Sequence, residues 1–171
     1  MLERDHDQPT REVWQASPSS MVLKVGAQAP SFSAKGIKGE TIALDDLRGS
    51  RVVVYFFRRV FTPNCAAETK GFRDNYAELK EHGVEVIGIS GDAPETHCRF
   101  AEQYGVTFPL IADRLRMISR AYGVLWPVLG AIGRYTFILD ESHVVAAVMH
   151  HELQVSKHLD SVLRFVREGK A

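Results

Sequence analysis

Two rhythms of hydrophobic and polar positions alternate along the chain. Arg51 to Phe57 reads RVVVYFF, a β-branched and aromatic run of the kind that forms a buried strand. Val84 to Ser90, VEVIGIS, predicts a second buried strand, and Arg134 to Leu139 and Val144 to Met149 predict two more, joined by a hairpin turn at Asp140 to His143. Between these runs the period lengthens to that of a helix. Pro63 to His82 places Phe72, Tyr76 and Leu79 on one face and stops at Gly83. Pro94 opens a helix that ends at Gly105, and Arg114 to Tyr122 predicts a helix closed by Gly123. Val155 to Arg167 is amphipathic, with Leu159, Val162, Leu163 and Val166 on its apolar side. Shorter features fill the gaps: a hairpin turn at Gly36 to Glu40, a strand at Thr41 to Leu44, a turn at Leu47 to Gly49 and an extended segment at Phe108 to Ile111. Helices alternate with strands early and a hairpin comes late, so the expected fold class is α/β, a mixed sheet with helices on both faces.

Composition narrows the class without choosing a function. The 171 residues suffice for one domain with a real core, and 45% hydrophobic with 25% charged residues is ordinary for a soluble globular protein. Twenty-one acidic residues against twenty-one basic ones give no overall charge to hold nucleic acid or an acidic membrane. No apolar run approaches the length of a membrane span. Residues 1–20 are polar, of mixed charge, and lack the apolar centre of a secretory signal; they read as a flexible tail ahead of a domain spanning 21–171, with Met21 an alternative start. Two cysteines cannot build a disulfide framework, which favours a reducing, cytoplasmic setting.

The chemistry concentrates at Phe61-Thr62-Pro63-Asn64-Cys65, between a strand and an amphipathic helix. Pro63 suits a first helical turn, where its missing N–H would have no partner. Cys65 then falls within that turn, where unpaired backbone N–H groups and the positive helix end favour an anionic sulfur, the nucleophilic form. Thr62 can turn its hydroxyl toward the same pocket. Arg51, Arg58, Arg59, Lys70 and Arg73 surround the motif with Glu68 as the single acid between 51 and 73, a field that also favours a thiolate. A lone cysteine at a helix start is more often structural than reactive; the hydroxyl and the charge shift that balance toward a reactive thiol. A strand feeding such a cysteine is what a thioredoxin-like architecture provides.

The segments KVGAQAPSF, VVVYFF, FTPNCAAETKGFRDNY, VIGISGDAPETHCRFAEQYGVTFPLIAD, AYGV and GRYTFILD, in this order, resemble a peroxiredoxin of the bacterioferritin-comigratory, or Q-type, group. The resemblance covers the chain from about Val22 onward and implies a thioredoxin-like fold. It implies that Cys65 is the peroxidatic cysteine, Thr62 the hydroxyl that positions the peroxide, Arg134 a guanidinium reaching the pocket from a distant strand, and Glu68 a brace on the cysteine's own helix. It further implies a thiol-dependent peroxidase acting on hydrogen peroxide or organic hydroperoxides. The reductant would be thioredoxin, glutaredoxin or a small thiol, with no bound cofactor or metal and a monomeric or homodimeric state.

Two positions depart from the group's pattern. Arg58 stands seven residues before Cys65, where the motif carries a proline that stiffens the loop; Arg58 adds charge and removes a fixed φ. The resolving cysteine is absent from both of its usual places, which are Lys70 and Ala101 here. Cys98, three residues before Ala101 and on a neighbouring helix face, is the remaining candidate resolver. A one-cysteine mechanism is therefore the leading expectation. An atypical two-cysteine route through Cys98, or a non-catalytic sensor or interaction module on the same fold, are the alternatives.

Seven histidines show no metal-ligand spacing and read as scattered surface residues; His150 and His151 fall on opposite faces of a strand end. Leu125 to Ile132 is unusually apolar for a loop, which suits either a core-tucked segment or a patch that pairs subunits or docks a reductant protein.

Overall fold

The computed structural model describes residues 21–150 and 155–168. The tail expected at 1–20, and His151, lie outside the described residues. Chain order is β1 (Ser33–Lys35), β2 (Thr41–Ala43), β3 (Arg51–Phe56), α1 (Pro63–Glu81), β4 (Val84–Ser90), α2 (Pro94–Tyr104), β5 (Leu110–Ala112), α3 (Met117–Ala121), β6 (Tyr135–Leu139), β7 (Val145–His150) and α4 (Val155–Glu168). Five strands form one mixed sheet in the order β5-β4-β3-β6-β7, with β3–β4 and β4–β5 parallel and β3–β6 and β6–β7 antiparallel. The β1–β2 hairpin is tied to the β5 edge by a bridge from Gly36 to Ile111 and by the Ile37 N–H donating to the Leu110 carbonyl.

Strand β3 is central, and its near-continuous apolar sequence follows from burial on both faces. Val53, Tyr55 and Phe57 enter one core with Phe72 and Leu79 of α1, Phe100 and Ala101 of α2, and Val162 and Val166 of α4. Val52, Val54 and Phe56 enter the other with Ile118 and Ala121 of α3, Phe32, Tyr122 and Phe137. Helices thus cover both faces of the sheet, as the order of elements predicts. Burying each such aromatic or branched side chain stabilises the fold by roughly 1.5–3 kcal/mol relative to exposure. Gly88 is needed in β4 because a Cβ there would sit 2.7 Å from the Tyr55 hydroxyl, which crosses the strand to meet Thr69 Oγ1 at 3.2 Å.

Three local expectations need correction. The hairpin's first strand, β1, has no apolar run to announce it, since its residues are Ser33, Ala34 and Lys35. The helix expected from Arg114 begins only at Met117, because Arg116 takes a left-handed φ of 56° and the Asp113 carboxylate accepts the N–H groups of Met117, Ile118 and Ser119. His97 and His143 are buried rather than on the surface.

Candidate active site

Strand β3 delivers the chain to the site. Phe57 N–H still bonds the Ile89 carbonyl, then residues 58–62 turn over the end of the sheet. Two contacts hold this turn: Val60 N–H donates to Asp92 Oδ2 at 2.9 Å, and the Phe61 ring packs edge-on against Phe100 at 5.3 Å. Phe61 is held at a left-handed φ of 64°, a conformation costly for a bulky residue and retained only where its surroundings enforce it. Thr62 is the N-cap of α1 with extended backbone, and Pro63 follows in the first turn as expected.

Cys65 is completely buried. The first bond within α1 is Ala66 N–H to the Thr62 carbonyl at 2.9 Å, so the Cys65 N–H precedes the helical ladder and lies among its leading donors. Arg134, just ahead of β6 and 4% exposed, directs its guanidinium onto this sulfur. Its Nη2 donates to Cys65 Sγ at 3.3 Å while its Nη1 donates to Glu68 Oε2 at 2.9 Å, a buried ion pair. Glu68 lies three residues past Cys65 on the same helix, so one turn of α1 presents both partners to one guanidinium. Burial opposes the Arg134 charge, but the attraction of Cys65 and Glu68 outweighs it and raises the guanidinium above its already high value. Cys65, Glu68 and Arg134 therefore come together.

The other expected residues are placed differently. Thr62 Oγ1 donates to the Arg59 carbonyl at 3.1 Å, so its hydroxyl braces the turn. Arg58 lies over the Trp126 ring, 4.6 Å from its centre. Cys98 is half-buried on α2, with its Sγ–H toward the Ile37 carbonyl at 3.4 Å, which faces it to the β1–β2 hairpin. Phe100 and Ala101 occupy the α2 positions in the core that contains Cys65. A cavity of about 450 Å³ between that hairpin and α3, lined by Gly36, Ile37, Pro94 and Arg114 among others, includes none of the residues of the Cys65 cluster.

Sequence reasoning missed the polar network behind the turn. Ser90 Oγ donates to Asp92 Oδ2 at 2.8 Å and lies 2.6 Å from His97 Nε2, with all the Ser90 and His97 side-chain surface buried. The single Ser90 proton goes to the carboxylate, so His97 must donate from Nε2; its Nδ1 has no hydrogen-bond partner among the described residues. Burial lowers the His97 pKa to about 4 although Asp92 pulls the other way. The only linear signal was the proximity of Ser90, Asp92 and His97 at the start of a helix.

A mixed sheet of this order with a buried cysteine at the start of α1 is a thioredoxin-like arrangement of a thiol protein, and here a guanidinium faces the sulfur. Residues 25–148 match the family model described as the AhpC/TSA family, and the chain belongs to that family, the peroxiredoxins, among its Q-type members. It is 38% identical over 143 residues to the chloroplastic peroxiredoxin Q of Populus jackii, covering 83% of this chain and 67% of that one. With the Sedum lineare protein of the same name it shares 36% over 155 residues, 89% of this chain and 83% of the relative. Among solved structures, the peroxidoxin BcpB of Mycobacterium tuberculosis superposes with a TM-score of 0.80 at 28% identity, over 87% of this chain and 99% of that one. Xanthomonas campestris peroxiredoxin Q gives 0.76 at 26%, over 88% and 98%.

Proposed function

We infer that this chain is a thiol-dependent peroxidase that reduces hydrogen peroxide and small organic hydroperoxides through Cys65. The observation that carries the reading is one buried guanidinium bonding both Cys65 Sγ and Glu68 within a peroxiredoxin fold. The thiolate attacks the nearer peroxide oxygen in line with the O–O bond. Sulfur gains that oxygen as a sulfenic acid, the O–O bond breaks, and the departing oxygen takes a proton to leave as water or an alcohol. Arg134 and the leading N–H groups of α1 are aimed where negative charge develops, so they stabilise the transition state more than the bound peroxide. Thr62 enters once its hydroxyl swings from the Arg59 carbonyl to the peroxide.

Regeneration uses an external thiol. It attacks the sulfenic sulfur, water leaves, and a second thiol releases Cys65 from the mixed disulfide; thioredoxin, glutaredoxin or a small thiol can serve. The orientation of Cys98 toward Ile37 supports this one-cysteine route. The exposed Val128 and Leu129 at the tip of the apolar loop support pairing as a homodimer. The family match starts at residue 25, which supports treating 1–20 as a tail outside the catalytic domain. We place the protein in a reducing compartment on the strength of its two free cysteines; the plant relatives are chloroplastic, and no described helix is long and apolar enough to cross a membrane.

Intact mass after seconds of stoichiometric hydrogen peroxide tests the reading. One oxygen gained by the parent and by Cys98→Ser, and not by Cys65→Ser, is the expected result. A loss of two hydrogens that needs both cysteines would replace the one-cysteine route with the two-cysteine one. No oxidation of Cys65 would favour the sensor or interaction reading.

A further inference from the structure

Arg58, where the motif proline is missing, meets a partner that composition alone does not reveal. Its guanidinium stands 4.6 Å from the centre of the Trp126 ring. Trp126 belongs to a tight turn: its N–H donates to the Ala131 carbonyl and its carbonyl accepts from Gly130 N–H, both at 2.9 Å, while Leu125 bridges Ile132. The indole also lies against Gly133, since a Cβ there would sit 3.0 Å from Nε1. Gly133 N–H is fixed to the Val124 carbonyl at 2.8 Å, and the next residue is Arg134. Trp126 therefore stands between the strand end that leads into the Cys65 turn and the backbone that carries the guanidinium. At 39% exposure it is half covered, whereas Val128 at the tip of the same turn is 92% exposed.

We propose that Arg58 and Trp126 form a clamp that positions Arg134 on Cys65, and that Arg58 supplies by stacking the stiffness the motif proline supplies through its fixed φ. A planar guanidinium on an aromatic face restrains both groups, which a solvated lysine does not do as well. Arg58 and Trp126 are positioning residues, acting through Arg134. The consequence for turnover rests on the peroxidase reading, but the effect on Cys65 is measurable without peroxide.

The test is made in a Cys98→Ser background with Arg58→Ala, Arg58→Lys, Trp126→Ala, Trp126→Phe and the double alanine variant. Iodoacetamide alkylation of Cys65 is followed across pH, and its oxidation by hydrogen peroxide alongside. Each alanine variant is expected to slow alkylation at neutral pH about fivefold, the equivalent of one exposed cation–π contact. Trp126→Phe should restore most of the rate, and the double variant should be no slower than the slower single one. A loss in Arg58→Ala that Trp126→Ala does not share would reduce Arg58 to a nearby charge and overturn the clamp. Unchanged or additive rates would overturn it too. If Trp126→Ala fails to fold, Trp126→Phe and Arg58→Lys decide: the clamp requires the first to hold the rate and the second to lose it. A parent that alkylates normally yet ignores peroxide would end the peroxidase reading, while the alkylation series still decides the clamp.

Discussion

A guanidinium presents its N–H donors in a rigid fork, and Arg134 uses that fork to hold Cys65 Sγ with one prong and Glu68 Oε2 with the other. Arg134→Met should slow the reaction of Cys65 with hydrogen peroxide by about 100-fold or more, the cost of losing one aimed donor. It should also destabilise the protein by about 3–5 kcal/mol, because the buried Glu68–Arg134 ion pair is broken. Arg134→Lys keeps the charge and cannot span both partners, so its rate should fall between. Stopped-flow oxidation and chemical denaturation check both halves; a normal rate in Arg134→Met would remove the guanidinium from the chemistry. Glu68's bracing role came only from the family resemblance, whereas Cys65 was legible in the sequence because its helix-start setting is local. Arg134 was not, being 69 residues away, and only the likeness of GRYTFILD to a family motif singled it out. Arg58–Trp126 and Val60–Asp92 left no trace, because each joins two loops whose approach is decided by the sheet.

Pro94 and Gly105 mark the two ends of α2 in the sequence, and in the structure Pro94 opens its first turn and Gly105 closes it in a left-handed conformation. What fastens it to β4 was invisible. His97 is sealed against Phe57, with ring centres 5.9 Å apart, and donates to Ser90. An ordinary histidine takes up a proton near pH 6.5 in the unfolded chain, whereas folded His97 does so only near pH 4. Between those values the unfolded state binds more protons, so stability is full above about pH 6.5 and is lost as pH falls toward 4. The shift corresponds to about 3 kcal/mol from this one group. His97→Gln keeps a donor for Ser90 and cannot titrate, so its stability should fall less steeply across that window. Urea denaturation at pH 7, 5.5 and 4.5 reads the difference; equal slopes in the two proteins would mean that His97 titrates as it does when exposed. The shorter α3 and the unannounced β1 have the same explanation at this scale. Asp113 fixes where α3 starts, and β1 is recruited by pairing with β2 rather than by its own apolar content.

Across the whole molecule, α1, α2 and α4 share one core with Cys65, and α2 is fastened along its full length. His97 holds its start and Phe100 its buried face. At its end the Tyr104 ring lies 4.7 Å from Lys70 Nζ, and the Tyr104 carbonyl accepts from Arg73. Lys70 stands where some Q-type chains carry the resolving cysteine, so here that position ties α1 to α2 instead. Cys98 points at the hairpin, and we expect a disulfide with Cys65 to need α2 to leave the core. Exposing Phe100 and breaking the His97 bond alone costs about 4 kcal/mol, which leaves about one molecule in a thousand open at any moment. The rate of any Cys65–Cys98 disulfide is then capped by the opening of α2, which native-state hydrogen exchange of its amides measures independently. After one equivalent of peroxide, the sulfenic acid should persist long enough for dimedone to trap it. The disulfide, where it forms, should grow no faster than α2 opens. A disulfide that outpaces that exchange would show that Cys98 reaches Cys65 from the folded state, and the external-thiol route would lose its structural basis.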